Sequence, residues 1–381
     1  MKRGFTCLWG ALAVAGAFLV SCGAPVPDVE ERLQEMSLRE KVGQLFCLRP
    51  EALDTTIHYE SSAELPAFSL QEVNARMQAL AADYPAGGIT LFAHNIQSPE
   101  QLKAFVADLK ALPGAPLLSI DEEGGRVARL GNHPAFDLPK YESMAAFGSP
   151  RQVYRAARTI GKYLAHYGFD VDFAPVADVN TNPQNIVIGN RAFSDRPKDA
   201  ARKVKAYVKG LRKAGVLSCL KHFPGHGDTQ ADTHFGYAVS GKSWEEMLSC
   251  EMIPFKAGIA AGAPLVMTAH ISAPAVTGSE VPSTLSPVIL QEKLRGELGF
   301  DGVIVTDAME MGAIARQYPV DEACVLALEA GVDMLLCVKD YPAAFDAVLA
   351  AVESGRLSEE RIDASVRRIL RLKAPTTAQV R

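Results

Sequence analysis

The chain has 381 residues, with 39 Lys and Arg set against 44 Asp and Glu, for a formal net charge of −5. No run of five or more basic residues occurs, which argues against nucleic acid as a partner. Its 7 cysteines show no CxxC or similar spacing, so neither a cysteine metal site nor a disulfide framework is indicated.

Lys2 and Arg3 precede an apolar run from Leu8 to Val20. That run is too short for a stable bilayer span and has the build of a secretory leader. It ends in Leu19-Val20-Ser21-Cys22-Gly23, which resembles the lipobox of bacterial lipoproteins. The resemblance implies a signal peptide over 1–21, acylation of Cys22 and a short tether over 22–30. It also implies an extracytoplasmic protein held to a bacterial membrane by lipid. An ordinary secretory leader with an incidental cysteine is the other reading. Losing the leader leaves a mature charge of about −7. Cys47, Cys219, Cys250, Cys324 and Cys337 then remain, an odd set in apolar surroundings that reads as buried thiols.

From residue 31 onward, short apolar β-rich runs alternate with amphipathic stretches, and no Pro/Gly/Ser linker divides the chain. The expected strands are Gln44–Leu48, Gly88–Phe92, Pro116–Ile120, Val171–Pro175, Val216–Lys221, Pro264–Ala269, Gly302–Thr306 and Val332–Val338. Helical patterns are clearest over Pro99–Leu112, Arg151–Tyr167, Asp199–Ala214, Ser243–Ala261, Ser286–Leu298, Asp321–Ala330 and Tyr341–Ser354. Apolar strands each followed by a helix indicate a parallel sheet covered on its outer face. Eight repeats predict a single α/β domain over 31–381, a TIM-type (β/α)8 barrel. A doubly wound open sheet is the alternative.

The polar residues favour the barrel. Asp121 ends the third run, Asp178 follows the fourth, Lys221-His222 closes the fifth, His270 ends the sixth and Asp307 the seventh. In such barrels chemistry sits at the carboxyl ends of the strands. After the fifth strand comes Lys221-His222-Phe223-Pro224-Gly225-His226-Gly227-Asp228-Thr229, then Asp232-Thr233-His234. Imidazoles move protons near neutral pH, and the interleaved glycines let backbone approach a ligand. His226, Asp178 and His270 also suit supporting hydrogen-bond roles, and Asp228 suits an Asx turn. Glu310 is a rival carboxylate to Asp307, but its register places it at the start of the next helix, where acids favour the dipole.

Two chemistries remain open. A divalent metal can use His and Asp ligands, although the first strand offers none. The other is metal-free nucleophile and acid/base chemistry, with Asp307 on a buried strand and Asp232 placed to charge-stabilise His234.

Several stretches then carry a resemblance. They are Leu38-Arg39-Glu40-Lys41-Val42-Gly43-Gln44, Ile120-Asp121-Glu122-Glu123-Gly124-Gly125-Arg126-Val127, Phe173 to Val179, Gly189 to Ser194, and the KHFPGHGDT stretch with its following Asp-x-His. Together they resemble the β-N-acetylglucosaminidases of glycoside hydrolase family 3, over most of the mature chain. The resemblance implies a carbohydrate substrate and no cofactor. Asp307 would be the nucleophile, and His234, polarised by Asp232, the general acid/base. Asp121, Arg129, Arg191, Lys221 and His222 would hold the sugar next to the cleaved bond. Thr233 and Ala192 stand where the family often has Ser, and a single catalytic domain without the second domain of many members is expected. A β-glucosidase, a phosphorylase of the same family and a non-catalytic sugar-binding lipoprotein remain alternatives.

Overall fold

In this computed structural model, residue 1 and residues 28–59, 64–231 and 238–374 are described. Cys22, Asp232 and His234 therefore lie outside the described residues. The eight barrel strands are β1 (Phe46–Leu48), β2 (Gly88–Leu91), β3 (Leu117–Ile120), β4 (Val171–Asp172), β5 (Leu217–Phe223), β6 (Leu265–Thr268), β7 (Val303–Val305) and β8 (Leu335–Leu336). Their spatial order is β7-β6-β5-β4-β3-β2-β1-β8, with every pairing parallel. A parallel bridge between Val305 and Met334 brings the two edge strands together, so the sheet curls into a barrel rather than the open sheet of the alternative.

These segments become strands because they are short, apolar and buried on both faces, as a sheet wrapped by helices requires. Leu48, Leu91, Leu118, Leu220, Val266 and Ile304 are all fully buried, each contributing about 1.5–3 kcal/mol by leaving water. The outer helices start at readable caps. Ser98 caps Pro99–Lys110, Ser149 caps Pro150–His166 and Ser358 caps Glu359–Lys373, each side chain accepting a backbone N–H. At the amino-terminal end of the barrel, Phe46 packs edge-on against Tyr341 and stacks with Phe345, at centroid separations of 5.1 and 6.1 Å.

Several boundaries differ from expectation. Gln44 ends a helix, Leu38–Gln44, instead of opening β1. Strand β5 runs on to Phe223, while β4 and β8 contain two residues each. The helix Ala75–Asp83 between β1 and β2 was not anticipated. The stretch Ser243–Ala261 is two helices, Trp244–Ser249 and Met252–Ala260, broken at Cys250-Glu251. The break turns the Glu251 carboxylate inward to Lys242, 2.6 Å away, with only 1% of its side chain exposed. Val288–Glu297 is wound as a π-helix. The five cysteines from Cys47 onward are free thiols, four of them buried.

Candidate active site at the mouth of the barrel

The carboxyl ends of β3 and β5 build a compact cradle of charge. Asp121 follows β3 directly, and Glu122–Gly124 continues as a short strand paired with Val127–Ala128. Alternation along a strand puts Asp121 and Glu123 on one side and Glu122 on the other. The contacts follow that rule. Lys221 Nζ, from β5, reaches Asp121 Oδ1 at 2.7 Å and Glu123 Oε1 at 2.6 Å. Glu122 faces away, accepting from the backbone N–H groups of Leu130 and Gly131 and from the Tyr163 hydroxyl.

Arginines complete the cradle. Arg191 grips Glu123 through Nε at 2.9 Å and Nη2 at 2.7 Å, a fork that fixes the guanidinium plane. Arg129 Nη2 lies 3.3 Å from Asp121 Oδ2. Arg191 Nη2 also lies 3.4 Å from His222 Nε2. Thus five predicted sugar-holding residues, Asp121, Arg129, Arg191, Lys221 and His222, do come together. Glu123 joins them, a member that the sequence reading quoted without assigning it a role. Its period-two relation to Asp121 was the available signal.

Burial opposes the Lys221 charge, but the Asp121 and Glu123 carboxylates push its ammonium well above the ordinary lysine range. Against the same burial, Lys221 and then Arg129 hold Asp121 far below the usual carboxylate range. Lys221 and Arg191 likewise lower Glu123. The cradle therefore stays ionised at neutral pH. Glu123 is 1% exposed, whereas the Asp121 and Arg129 side chains are 20% and 28% exposed, so the cradle opens on their side.

Asp178 supports the cradle from below. This buried carboxylate lies 2.7 Å from His222 Nδ1 and accepts the His226 backbone N–H at 2.7 Å. Burial raises its pKa to about 6, and burial, then Arg191, pushes His222 well below the ordinary imidazole value. Neutral His222 then donates Nδ1–H to Asp178 and turns the Nε2 lone pair toward Arg191. The peptides Lys221–His222 and Phe223–Pro224 are both cis. Glycine is required twice in the loop that follows. Gly225 has φ of 124°, and a Cβ at Gly227 would lie 2.0 Å from the Val179 carbonyl oxygen. Asn185 donates to the His226 carbonyl at 2.6 Å, tying the loop after β4 to this one.

Asp307 follows β7 and is partly exposed. Its Oδ1 accepts the Ala308 backbone N–H at 2.8 Å. The carboxylate acts electrostatically on both His222 and His270, which puts it at the same mouth. His270 donates Nε2–H to the Ala308 carbonyl at 3.0 Å and faces Thr284 through Nδ1 at 2.8 Å. It therefore braces the backbone beside Asp307. One placement is corrected. Glu310 sits in a turn ahead of the helix Gly312–Ala315, and its carboxylate pairs with Arg49 and accepts from Tyr59, so no helix dipole holds it. Asp228 accepts from the Thr181 hydroxyl and pairs with Lys242 at 3.3 Å, bridging two loops.

Asp232 and His234 fall in the sequence between Gln230–Ala231 and Ala238–Val239, which pair antiparallel; both lie outside the described residues. Among the described residues, no group of three or more His, Cys, Asp or Glu could hold a metal ion.

Comparison with known proteins matches residues 37–372 to the glycosyl hydrolase family 3 N-terminal domain. The chain is 36% identical over 326 residues to beta-hexosaminidase A of Pseudoalteromonas piscicida, covering 78% of this chain and 54% of that protein. It thus spans about half the length of that relative. It is also 36% identical over 314 residues to beta-hexosaminidase LpqI of Mycobacterium tuberculosis, covering 79% of each. A solved family 3 β-N-acetylglucosaminidase from a Paenibacillus species superposes with a TM-score of 0.79 at 40% identity, covering 89% of this chain and 62% of that one.

Proposed function

The chain belongs to glycosyl hydrolase family 3, and from that premise we propose that it is a retaining, exo-acting β-N-acetylglucosaminidase. The observation that carries the proposal is the cradle around Lys221: ion-paired within itself, yet open on its Asp121 and Arg129 side, at the mouth that Asp307 shares. The beta-hexosaminidase relatives and the Paenibacillus structure support the choice of an acetamido sugar.

A glycoside acetal needs its departing oxygen protonated while a carboxylate meets the oxocarbenium-like centre. Asp121 offers acceptors, and Arg129, Arg191 and Lys221 offer donors, to the hydroxyls of the terminal ring. In the first step an Asp307 oxygen bonds to the anomeric carbon as the bond to the leaving oxygen breaks. His234, charge-stabilised by Asp232, gives its proton to that oxygen. In the second step His234 takes a proton from water, the water oxygen bonds to the anomeric carbon, and Asp307 is released. Two displacements retain configuration.

We assign the natural substrate to peptidoglycan fragments and place the protein on a bacterial membrane through lipid at Cys22. A muramic-acid leaving sugar carries a carboxylate that would repel an anionic acid/base, and an imidazole avoids that repulsion.

The test compares p-nitrophenyl β-N-acetylglucosaminide with the β-glucoside, using wild type and Asp307→Ala. Preference for the acetamido sugar, lost by roughly 10³-fold or more in the variant, is the expected result. Preference for glucoside would discard the acetamido assignment. A rate that rises with phosphate and yields a sugar phosphate would replace hydrolysis by phosphorolysis.

A further inference from the structure

The three cations of the cradle are not held alike. Lys221 meets two carboxylates, and Arg191 grips Glu123 through a fork. The Arg129 guanidinium makes one hydrogen bond among the described residues, to Asp121 Oδ2 at 3.3 Å, and its buried Nε has no hydrogen-bond partner there. The backbone beside it is fixed, because the next two N–H groups, of Leu130 and Gly131, donate to Glu122. A long side chain on that anchor, 28% exposed, has many rotamers to give up before it points at a ligand. One long hydrogen bond is a weak means of choosing among them.

An aromatic ring supplies the second constraint. Phe92 follows β2 directly, and Arg129 Cζ lies 5.7 Å from its ring centroid, within reach of a cation–π contact. Arg49 Cζ lies 4.4 Å from the same centroid, so one ring meets two guanidiniums. His94 stacks on it as well, 5.8 Å away and 5° from parallel. Two cations at one ring repel each other, and each is neutralised from outside: Arg129 by Asp121, Arg49 by Glu310. The Arg49–Glu310 pair is buried, and the Tyr59 hydroxyl donates to Glu310 Oε2 at 2.9 Å.

The backbone at Phe92 is tied down too. Its N–H donates to Asn95 Oδ1 at 2.9 Å, and buried Asn95 donates to Glu51 Oε1 at 2.6 Å and to the Leu70 carbonyl at 3.0 Å. The loops after β1, β2 and β7 therefore set the ring, and the ring in turn limits where the Arg129 side chain can lie.

We propose that Phe92 is a positioning residue for sugar binding: its ring holds Arg129 toward Asp121, and Arg49, neutralised by Glu310, holds the ring. The role rests on the glycosidase reading, in which Arg129 donates to a hydroxyl of the terminal sugar. Phe92 acts through the guanidinium and not on the sugar. By narrowing where Arg129 lies before the sugar arrives, it lowers the ordering cost of binding. Glu310, the carboxylate that rivals Asp307 in the sequence, thereby serves the site through Arg49 and Phe92.

The test is a double-mutant cycle on kcat/KM, per folded molecule, for p-nitrophenyl β-N-acetylglucosaminide. Two ringless variants, Phe92→Leu and Phe92→Met, keep apolar bulk so that the fold survives, and each is made alone and together with Arg129→Ala. Loss of the ring should lower kcat/KM roughly tenfold, the size of a partly desolvated cation–π contact, whereas Phe92→Tyr should stay within about twofold of wild type. In the Arg129→Ala background the ringless substitutions should change kcat/KM by less than about twofold, because the group they act through is gone. Equal losses with and without Arg129, or wild-type kcat/KM in a ringless variant, overturn the positioning role and leave the glycosidase assignment standing. A wild type that leaves the glycoside uncleaved overturns that assignment and the role with it.

Discussion

Two lysines at opposite ends of the barrel, one buried and one partly buried, show what separates a site from a fastening. Lys221 sits at the mouth between Asp121 and Glu123, and Lys373 sits at the base, near the start of β1 and β3. Lys221 is buried and Lys373 partly so, and loss of water disfavours an ammonium. Lys221 meets two carboxylates and its pKa is driven up. Among the described residues Lys373 meets only the Gln44 side-chain oxygen and the Gly114 carbonyl, and burial, with Arg32 adding repulsion, brings its pKa down to about 7. Desolvation opposes the charge of both; the partners decide which keeps it.

The sharpest way to break the comparison is to make one substitution at both ends. Lys221→Met strands Asp121 and Glu123 as buried, unpaired charges, which should cost about 3–5 kcal/mol of stability. It should also lower kcat/KM by roughly 10²-fold or more, since the sugar-holding geometry goes with it. Lys373→Met strands no charge and should change stability by only about 1 kcal/mol near pH 9. Denaturant melts of the two variants decide it, and equal losses would end the argument from partners.

The base also holds a charged cluster, which sharpens the contrast further. Buried Asp333 takes Arg295 and the Ile304 N–H on one oxygen, and Ser365 and Arg368 on the other. Its acceptors are filled by the protein itself, leaving nothing for a ligand. Asp333→Ala should therefore cost about 3–5 kcal/mol while leaving kcat/KM per folded molecule within about twofold of wild type. A large catalytic loss at full stability would make the base part of the site.

This difference explains how much the sequence made legible. Apolar runs marked all eight strands, and ionisable residues at the ends of five of them marked the mouth. The partners of those residues come from distant loops, as Arg191 to Glu123 and Arg49 to Glu310 do, and local patterns do not encode them. The helix break at Cys250-Glu251 escaped for the same reason: Glu251 turns inward to meet Lys242, a tertiary pull that overrides an uninterrupted helical pattern. Asp333 and Asp307 each adjoin an apolar strand, and only the surrounding donors distinguish a saturated carboxylate from an available one.

A last test takes the lysine contrast by pH alone. The folded-state pKa of Lys373 is about 7, while an unfolded lysine titrates near 10.4. Between those values the unfolded chain binds more protons than the folded one, so the Lys373 contribution to stability rises with pH. Below about pH 7 both states are protonated and the burden of burying the ammonium is constant. Asp170 opposes the shift and does not cancel it. Wild type measured against Lys373→Met should gain at most about 1.4 kcal/mol per pH unit from pH 7 to 10. A flat difference over that range would mean that the base lysine keeps its charge as Lys221 does, and that burial without a carboxylate partner is not enough to discharge it.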